Sequence, residues 1–385
     1  MDLDLSDDQE FFRSTTRKFL DAACPLTEVR RLEAEPAGYE DDYWRQGAEL
    51  GWTSMLVPEA DGGGSLSGEG LRDLAVIAEE LGRSVAPGPL VPTNVVADTI
   101  GRSGSEAQRA EVLAALLSGH SVAAWAHAEI GVGHTEVTPA CTAERTGDGW
   151  ILRGTKTPVE AGAQADHLLV SATTDEGPTQ FLVPASAEGV EVTPLDGLDL
   201  VRRFARVDLD AVGVGDAAVV GSLGGAAADL ERQLQVACVL ACAESAGATS
   251  RVLEFTLEYV DDRYSFGRPL SSYQALKHRF ADMKLWLEAS HAVTDGAARA
   301  VQADAADAPQ RASAAKAYVG SHSTEIMQDC VQMHGGIGVT WEHDIHLFLR
   351  RATVNRGNYG SPEQHHERIA TLLGMGGTNG ARSAS

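Results

Sequence analysis

Cysteine is scarce in this sequence, which has five in 385 residues and no Cys-x-x-Cys pair. The odd number and the wide spacing argue against a disulfide framework. Cys238 and Cys242 lie one helical turn apart, but no further cysteine or histidine stands near them at the spacing of metal ligands. We therefore expect reduced, buried thiols, no metal site and a cytoplasmic protein.

Long hydrophobic runs and basic clusters are also missing. No stretch approaches the roughly 20 apolar residues that cross a bilayer, and the acidic segment 1–9 lacks the apolar region of a secretory leader. The 31 lysines and arginines face 55 aspartates and glutamates, so the net charge is -24. Because phosphate contacts need clustered basic side chains, we expect no nucleic-acid partner, and we also expect no membrane insertion.

A helical pattern occupies the first third of the chain. Ser6 and Gln9 form a capping box ahead of apolar residues at helical spacing, and Ser105 is placed to cap a later helix. Between them, apolar periodicity predicts helices over 43–50 and 70–81. The stretch after the second of these is interrupted by three prolines, Pro87, Pro89 and Pro92.

From about residue 120 the pattern changes to short runs rich in valine, leucine and threonine, separated by turn residues. Asp148-Gly149 is a hairpin signal between two of these runs. The runs predict strands at 122–126, 138–144, 150–156, 167–172, 180–183, 190–193 and 205–209. A β-domain is therefore expected between two helical regions.

Helical periodicity returns near residue 226 and persists. The segment 229–262 has no proline and one glycine, and further helices are expected at 272–301, 310–333 and 344–356. Long helices with short connections predict an antiparallel bundle. We predict an α+β chain with an N-terminal helical domain (1–119), a middle β-domain (120–222), a C-terminal four-helix bundle (223–374) and a disordered tail (375–385).

This order of domains, with a series of short motifs, resembles the acyl-CoA dehydrogenase family over nearly the whole chain. The motifs include Glu49-Leu50-Gly51-Trp52, Glu80-Leu81-Gly82-Arg83, Gly154-Thr155-Lys156 and His334-Gly335-Gly336. The resemblance implies α,β-dehydrogenation of an acyl-CoA or other acyl thioester, in which a carboxylate removes the α-proton and FAD takes the β-hydride. It also implies a tetramer that passes electrons to an electron-transfer flavoprotein.

The resemblance implies a set of FAD-binding residues in the last domain, namely Arg263, Phe266, Gln274, Gln332, Gly335 and Gly336. In the family, the arginine and the second glutamine of this set contact the FAD pyrophosphate across a subunit interface. Arginine offers a planar fork to phosphate oxygens, and paired glycines let backbone approach a ligand closely. Taken alone, the glycine pair would indicate a helix end and Arg263 a solvated charge; the combination favours cofactor binding.

Positions that would touch the flavin ring depart from the family pattern. Ala128 and His134 replace the threonine and serine of a Thr-Glu-Pro-x-x-Gly-Ser-Asp motif, and Pro158 and Glu160 replace the tryptophan and threonine of Lys-x-Trp-Ile-Thr. The usual catalytic glutamate is replaced by Tyr359, whose ordinary pKa of about 10 does not suit a base.

Some members of the family carry the base on the first long helix of the bundle instead. There Glu244 shares one helix face with four apolar residues, Leu234, Ala237, Ala241 and Ala248. The sequence predicts that Glu244 is the catalytic base if this chain supplies one, and the alternative is a carboxylate at the solvent edge of that face.

Three functions remain open at this point. The first is an FAD-dependent acyl-CoA dehydrogenase in a homotetramer. The second is a non-catalytic subunit of an α2β2 heterotetramer, which completes a partner's FAD site while its own is degenerate. The third is a flavin monooxygenase or oxidase on the same fold. The flavin content of the purified chain distinguishes the second function from the other two. Oxygen consumption in the presence of a flavin reductase distinguishes the third.

Overall fold

The computed structural model describes residues 5–131 and 137–375. Its N-terminal part is helical, with α1 (Asp7–Ala23), α2 (Leu26–Leu32), α3 (Asp41–Glu49), α4 (Gly70–Arg83), α5 (Leu90–Ser103), α6 (Glu106–Gln108) and α7 (Ala114–Leu117). The capping boxes at Ser6 and Ser105 are both present, as the sequence predicted. The sequence does not predict helix α5, because three prolines in this stretch favour an interruption. A proline is tolerated in the first helical turn, where its missing N–H has no partner to lose.

The middle part is one sheet built from β1 (Ala123–Ala126), β2 (Thr142–Thr146), β3 (Gly149–Glu160), β4 (His167–Thr174), β5 (Gly177–Pro184), β6 (Val190–Leu195), β7 (Phe204–Gly215) and β8 (Val219–Val220). The strand order is β6-β7-β3-β2-β4-β5-β8, with β1 alongside β4. Each predicted strand overlaps an observed one. The predicted hairpin joins β2 to β3, but its turn is Gly147-Asp148, because Gly149 already pairs with Thr146.

The C-terminal part contains α8 (Ala227–Asp262), a small hairpin of β9 (Tyr264–Ser265) and β10 (Arg268–Pro269), α9 (Gln274–Gln302), α10 (Ala308–His334), α11 (Ile345–Gly357) and α12 (Pro362–Leu372). The four predicted helices are present, and α12 is an additional one. Most of the predicted tail, 376–385, lies outside the described residues.

Helix α8 runs through the centre of the molecule. Its hydrophobic side chains join those of the N-terminal helices and the bundle in one continuous core, whereas the sheet has a separate core around Trp150, Leu152 and Phe181. Among the described residues, α8 is the one helix long and apolar enough to span a membrane. However, 89% of its apolar 18-residue segment is buried inside the protein. Its position in the core accounts for this composition.

Two glycines set the distance between α4 and α8. A Cβ atom added at Gly82 would lie 1.9 Å from the carbonyl oxygen of Glu244, and one added at Gly247 would lie 1.9 Å from the carbonyl oxygen of Glu79. The two backbones therefore cross in direct contact. This crossing fixes the position of Glu244 relative to the N-terminal helices.

We expect Gly247→Ala to destabilise the chain by about 1–3 kcal/mol, because the added methyl group meets rigid backbone rather than a movable side chain. Gly296→Ala is the matched control, since a Cβ atom there meets no atom within 4 Å. That change should stabilise α9 by about 0.5–1 kcal/mol, because alanine favours the helix interior. Urea unfolding curves would measure both. Equal effects at the two positions would contradict the backbone contact.

Candidate functional site

A small cavity lies where the three parts of the chain meet. Its walls come from α5, from β1 and the residues after it, from β3, and from the loop after α11: Pro92, Trp125, His127, Ala128, Pro158, Glu160, Asn358 and Tyr359. Ala128, Pro158 and Glu160 stand at the predicted flavin-ring positions and Tyr359 at the predicted base position. The structure therefore brings these four positions together, while His134 lies outside the described residues.

The side chains around this cavity fill most of it. Tyr359 stacks on Trp125 with 6.1 Å between ring centroids, and Trp125 stacks on His127 at 5.1 Å. The space that remains is about 20 Å³, whereas pockets that bury a ligand of drug size hold about 300–1,000 Å³. Among the described residues at these positions, Tyr359 and Glu160 contact each other, and the others line the little space that remains.

Behind the cavity lies a buried network of charges. Arg202, in the segment before β7, places its Nε 3.2 Å from Glu160 and donates from Nη2 to both carboxylate oxygens of Glu244 at 2.8 Å. Arg351 of α11 donates to Glu244 at 2.7 Å and also pairs with Asp199. The network thus connects the middle domain with α8 and α11.

Glu244 occupies the centre of this network. Glu244 is buried, as are the four apolar residues that share its helix face. A position at the solvent edge of that face is therefore excluded. Asn355 adds a further donated hydrogen bond of 2.7 Å. Burial alone would raise the pKa of Glu244, but the charges of Arg202 and Arg351 outweigh burial and hold the pKa below its ordinary value.

This environment is the opposite of what a proton-accepting carboxylate needs. A general base requires a pKa raised toward the working pH and an oxygen free to face the substrate. Both oxygens of Glu244 already accept hydrogen bonds from Arg202, Arg351 and Asn355. The geometry therefore argues against Glu244 as the base and gives it a structural role between domains.

The sequence does not identify the partners of Glu244, although the position of one of them indicates a buried charge. Arg351 follows Phe348 and precedes Asn355 at helical spacing, on the face of α11 that packs inward. A charged residue on such a face needs a buried partner. Arg202 lies in an irregular segment, where no periodicity indicates which way its side chain points.

A second buried ion pair holds two segments of the middle domain together. Lys156 is fully buried, and its Nζ pairs with Glu129 and donates to Ser171 Oγ at 3.1 Å. Glu129 also accepts the backbone N–H groups of Ala140 and Cys141. Burial would raise the pKa of Glu129, but the charge of Lys156 prevails and lowers it. The pair fixes the residues before β2 against β3, so the frame around the cavity is intact although the ring positions are altered.

The predicted pyrophosphate-binding residues lie together at a different place, at one end of the bundle. Helices α8 and α10 both end there and α9 begins there. Tyr259, in the last turn of α8, stacks on His334 at 4.5 Å between ring centroids and donates from its Oη to the His334 carbonyl. This contact places the end of α8, which Arg263 follows, beside the end of α10, which carries Gln332 and is followed by Gly335 and Gly336.

These residues are free to contact another molecule. The side chains of Arg263, Gln274 and Gln332 are exposed, and none of them has a side-chain hydrogen bond or ion pair with the described part of the chain. A Cβ atom at Gly335 or Gly336 would meet nothing within 4 Å. An arginine fork beside bare backbone suits a phosphate, so these residues fit the pyrophosphate part of FAD.

A strained turn presents an aromatic ring at the same end. The turn between β9 and β10 consists of Phe266 and Gly267, both with positive φ, which is the type I′ hairpin geometry. Phe266 is 97% exposed as a result. The positive φ is unusual for a residue with a side chain, and it holds the exposed ring next to Arg263 in the chain.

The two candidate sites are far apart within one chain. Arg263 comes directly after the last turn of α8, about 28 Å along the helix from Glu244 at the standard rise per residue. Only a short ribityl chain separates the ring of FAD from its pyrophosphate. One FAD molecule therefore cannot place its ring in the cavity at Tyr359 and its pyrophosphate on Arg263 of the same chain.

Comparison with known proteins gives consistent matches along the chain. Three family models match it in order: the acyl-CoA dehydrogenase N-terminal domain at 6–120, the middle domain at 124–211 and the C-terminal domain at 224–374. A relative called acyl-CoA dehydrogenase IpdE2, from Mycolicibacterium smegmatis, is 30% identical over 368 residues, which are 95% of this chain and 98% of the relative.

Solved structures are similar over nearly the full length. A variant of the Tcur3481-Tcur3483 steroid ACAD has a TM-score of 0.86 and 32% identity, covering 96% of this chain and 98% of its own. The ChsE4-ChsE5 complex from Mycobacterium tuberculosis has a TM-score of 0.86 and 27% identity, with full coverage of both chains.

Proposed function

The chain belongs to the acyl-CoA dehydrogenase family, and on that premise we propose that it completes the FAD site of a homologous partner chain in an α2β2 heterotetramer. The family consists of oxidoreductases that act on a CH–CH bond and use FAD. In this proposal the chain supplies residues for the partner's cofactor and does not supply the catalytic base.

The closed cavity at Tyr359, together with an open set of predicted pyrophosphate-binding residues, carries this proposal. Arg263 and the glycine pair are exposed at the end of the bundle, and the Arg263 side chain has no hydrogen bond or ion pair with the described residues, whereas the cavity at Tyr359 leaves only about 20 Å³ for a flavin ring. Residues so placed serve a cofactor bound to a neighbouring chain. The exposed ring of Phe266 supports a subunit contact at the same end.

The substrate in this proposal is an acyl thioester such as an acyl-CoA, and the electron acceptor is an electron-transfer flavoprotein. When bound, FAD supplies the acceptor for the hydride that leaves the β-carbon. Arg263 would hold pyrophosphate oxygens, and the backbone at Gly335 and Gly336 would approach them closely. The α-proton would be taken by a carboxylate of the partner, since Glu244 is held by two arginines.

The relatives support a heteromeric assembly. The ChsE4-ChsE5 complex and the Tcur3481-Tcur3483 protein each combine two differently named components. The second is described as a steroid ACAD, which makes steroid-derived acyl thioesters a reasonable substrate class to test. Five buried cysteines without disulfides support a cytoplasmic location.

The test is to purify the chain alone and together with the product of a neighbouring homologous gene, and to compare flavin absorbance with protein concentration. We expect the chain alone to be flavin-poor and inactive, and the complex to hold one FAD for every two chains. A yellow homotetramer with one FAD per chain and its own acyl-CoA dehydrogenase activity would overturn the proposal. Oxygen consumption with a flavin reductase would instead indicate the monooxygenase or oxidase function.

A further inference from the structure

We propose that Tyr359 and Glu160 form a latch that closes this chain's own flavin-ring pocket and joins the middle domain to the bundle. The inference rests on the proposed function, because it concerns the pocket that a self-sufficient member of the family would use. It assigns a role to both residues in place of ring contact and proton abstraction.

Side chains of α10 and α12 fix the backbone around Tyr359. The Tyr359 carbonyl lies 2.9 Å from Nε2 of the buried His365, and Lys316 donates from Nζ to the Gly360 carbonyl at 2.7 Å. Tyr359 itself has a φ of 60°, an unusual value for a residue with a side chain. The loop therefore holds the phenol in one place, between the Trp125 ring and Glu160.

The polar end of the latch crosses the domain boundary. Glu160 ends β3 in the middle domain, and its Oε2 accepts hydrogen bonds from Tyr359 Oη at 2.7 Å and from Asn358 Nδ2 at 3.2 Å. Its other oxygen lies 3.2 Å from Arg202 Nε. Burial and the neighbouring Glu160 charge hold the pKa of Tyr359 well above its ordinary value, so the phenol remains a donor.

A flavin ring does not fit this arrangement. The ring would have to displace the buried Tyr359 phenol, and only about 20 Å³ is otherwise open. The Glu160 carboxylate would then lose the hydrogen bond that Tyr359 donates to it while remaining buried. A buried carboxylate that loses a donor costs free energy, so the pocket opposes the ring both by its volume and by the hydrogen bond that would be broken.

A double-mutant cycle on the full chain tests the latch. Tyr359→Phe and Glu160→Gln should each lower the urea midpoint of unfolding. The double variant should be destabilised less than the two single effects predict when added, by about tenfold in the unfolding equilibrium constant. Tyr264→Phe is the matched control, because the Tyr264 side chain is exposed and has no hydrogen bond to the described residues. Combined with Glu160→Gln, it should be additive.

A flavin probe gives a second readout. Lumiflavin is the flavin ring without the ribityl chain, and saturable quenching of its fluorescence reports binding. The native chain should not quench this fluorescence saturably. A folded variant with both Tyr359→Ala and Glu160→Ala should do so. Additive unfolding effects, or saturable quenching by the native chain, would overturn the latch and leave the subunit proposal to its own test. A partner complex that gains no FAD would overturn the subunit proposal while the coupling between Tyr359 and Glu160 remained.

Discussion

Replacing Glu244 by glutamine is expected to destabilise the chain by about 3–5 kcal/mol, the usual cost of removing one partner from a buried ion network. The substitution keeps the shape of the side chain but removes the charge that balances Arg202 and Arg351. Among the described residues, the two buried guanidinium groups would then have only Glu160 and Asp199 as counter-charges. Urea unfolding of the full chain measures the loss.

Glu254→Gln is the matched control for this experiment. Glu254 lies on the same helix and also pairs with an arginine, Arg83, but its side chain is 45% exposed. Its loss should cost no more than about 1 kcal/mol, because solvent screens an exposed pair. A Glu244→Gln variant with native stability and abolished turnover would instead restore Glu244 as the base. A strongly destabilised variant would establish the structural role.

The second large effect is expected from Arg263→Ala in the complex with a partner chain. Losing a charge-assisted hydrogen bond costs about 1.5–3 kcal/mol, which corresponds to about 10- to 150-fold weaker FAD binding. The stability of the chain itself should not change, because the Arg263 side chain is exposed and pairs with no described residue. FAD content after extensive dialysis, with unfolding curves of the same samples, measures both quantities.

Arg311→Ala is the control for the loss of one positive charge. Arg311 lies near the beginning of α10, at the opposite end of the bundle from Arg263, and forms an exposed ion pair with Asp307. This variant should keep its full FAD content. Arg263→Lys should retain part of the affinity, since a lysine offers charge without the planar fork. Unchanged flavin stoichiometry in Arg263→Ala would remove this residue from the cofactor site.

If both results are obtained, two residues first considered for one active site have separate roles. Arg263 then acts on a cofactor that belongs to a neighbour, and Glu244 holds together the domains of its own chain. A subunit of this kind keeps the fold and the interface of an enzyme while its own ring pocket serves as a domain junction. Mutations in the pocket would then alter stability, and mutations at the end of the bundle would alter flavin content.

Much of the architecture was determined by local sequence. Helices α8, α9, α10 and α11 were predicted close to their observed bounds, because apolar periodicity and the absence of proline act over a few residues. The capping box at Ser6 involves only the next three residues, so the sequence alone determined it. Arg263 and Gly335-Gly336 likewise stand in short motifs that follow predicted helices, and their role in binding pyrophosphate stays a prediction.

The chemistry of the buried site was decided only by the tertiary structure. Periodicity correctly placed Glu244 on an inward face but could not identify its partners, since Arg202 lies 42 residues before it and Arg351 lies 107 residues after it. Tyr359 meets Glu160 across 199 residues. Whether a buried carboxylate is a base or a structural anion depends on the charges within a few ångströms. Those charges are set by how distant segments cross, and no local pattern in this sequence records that crossing.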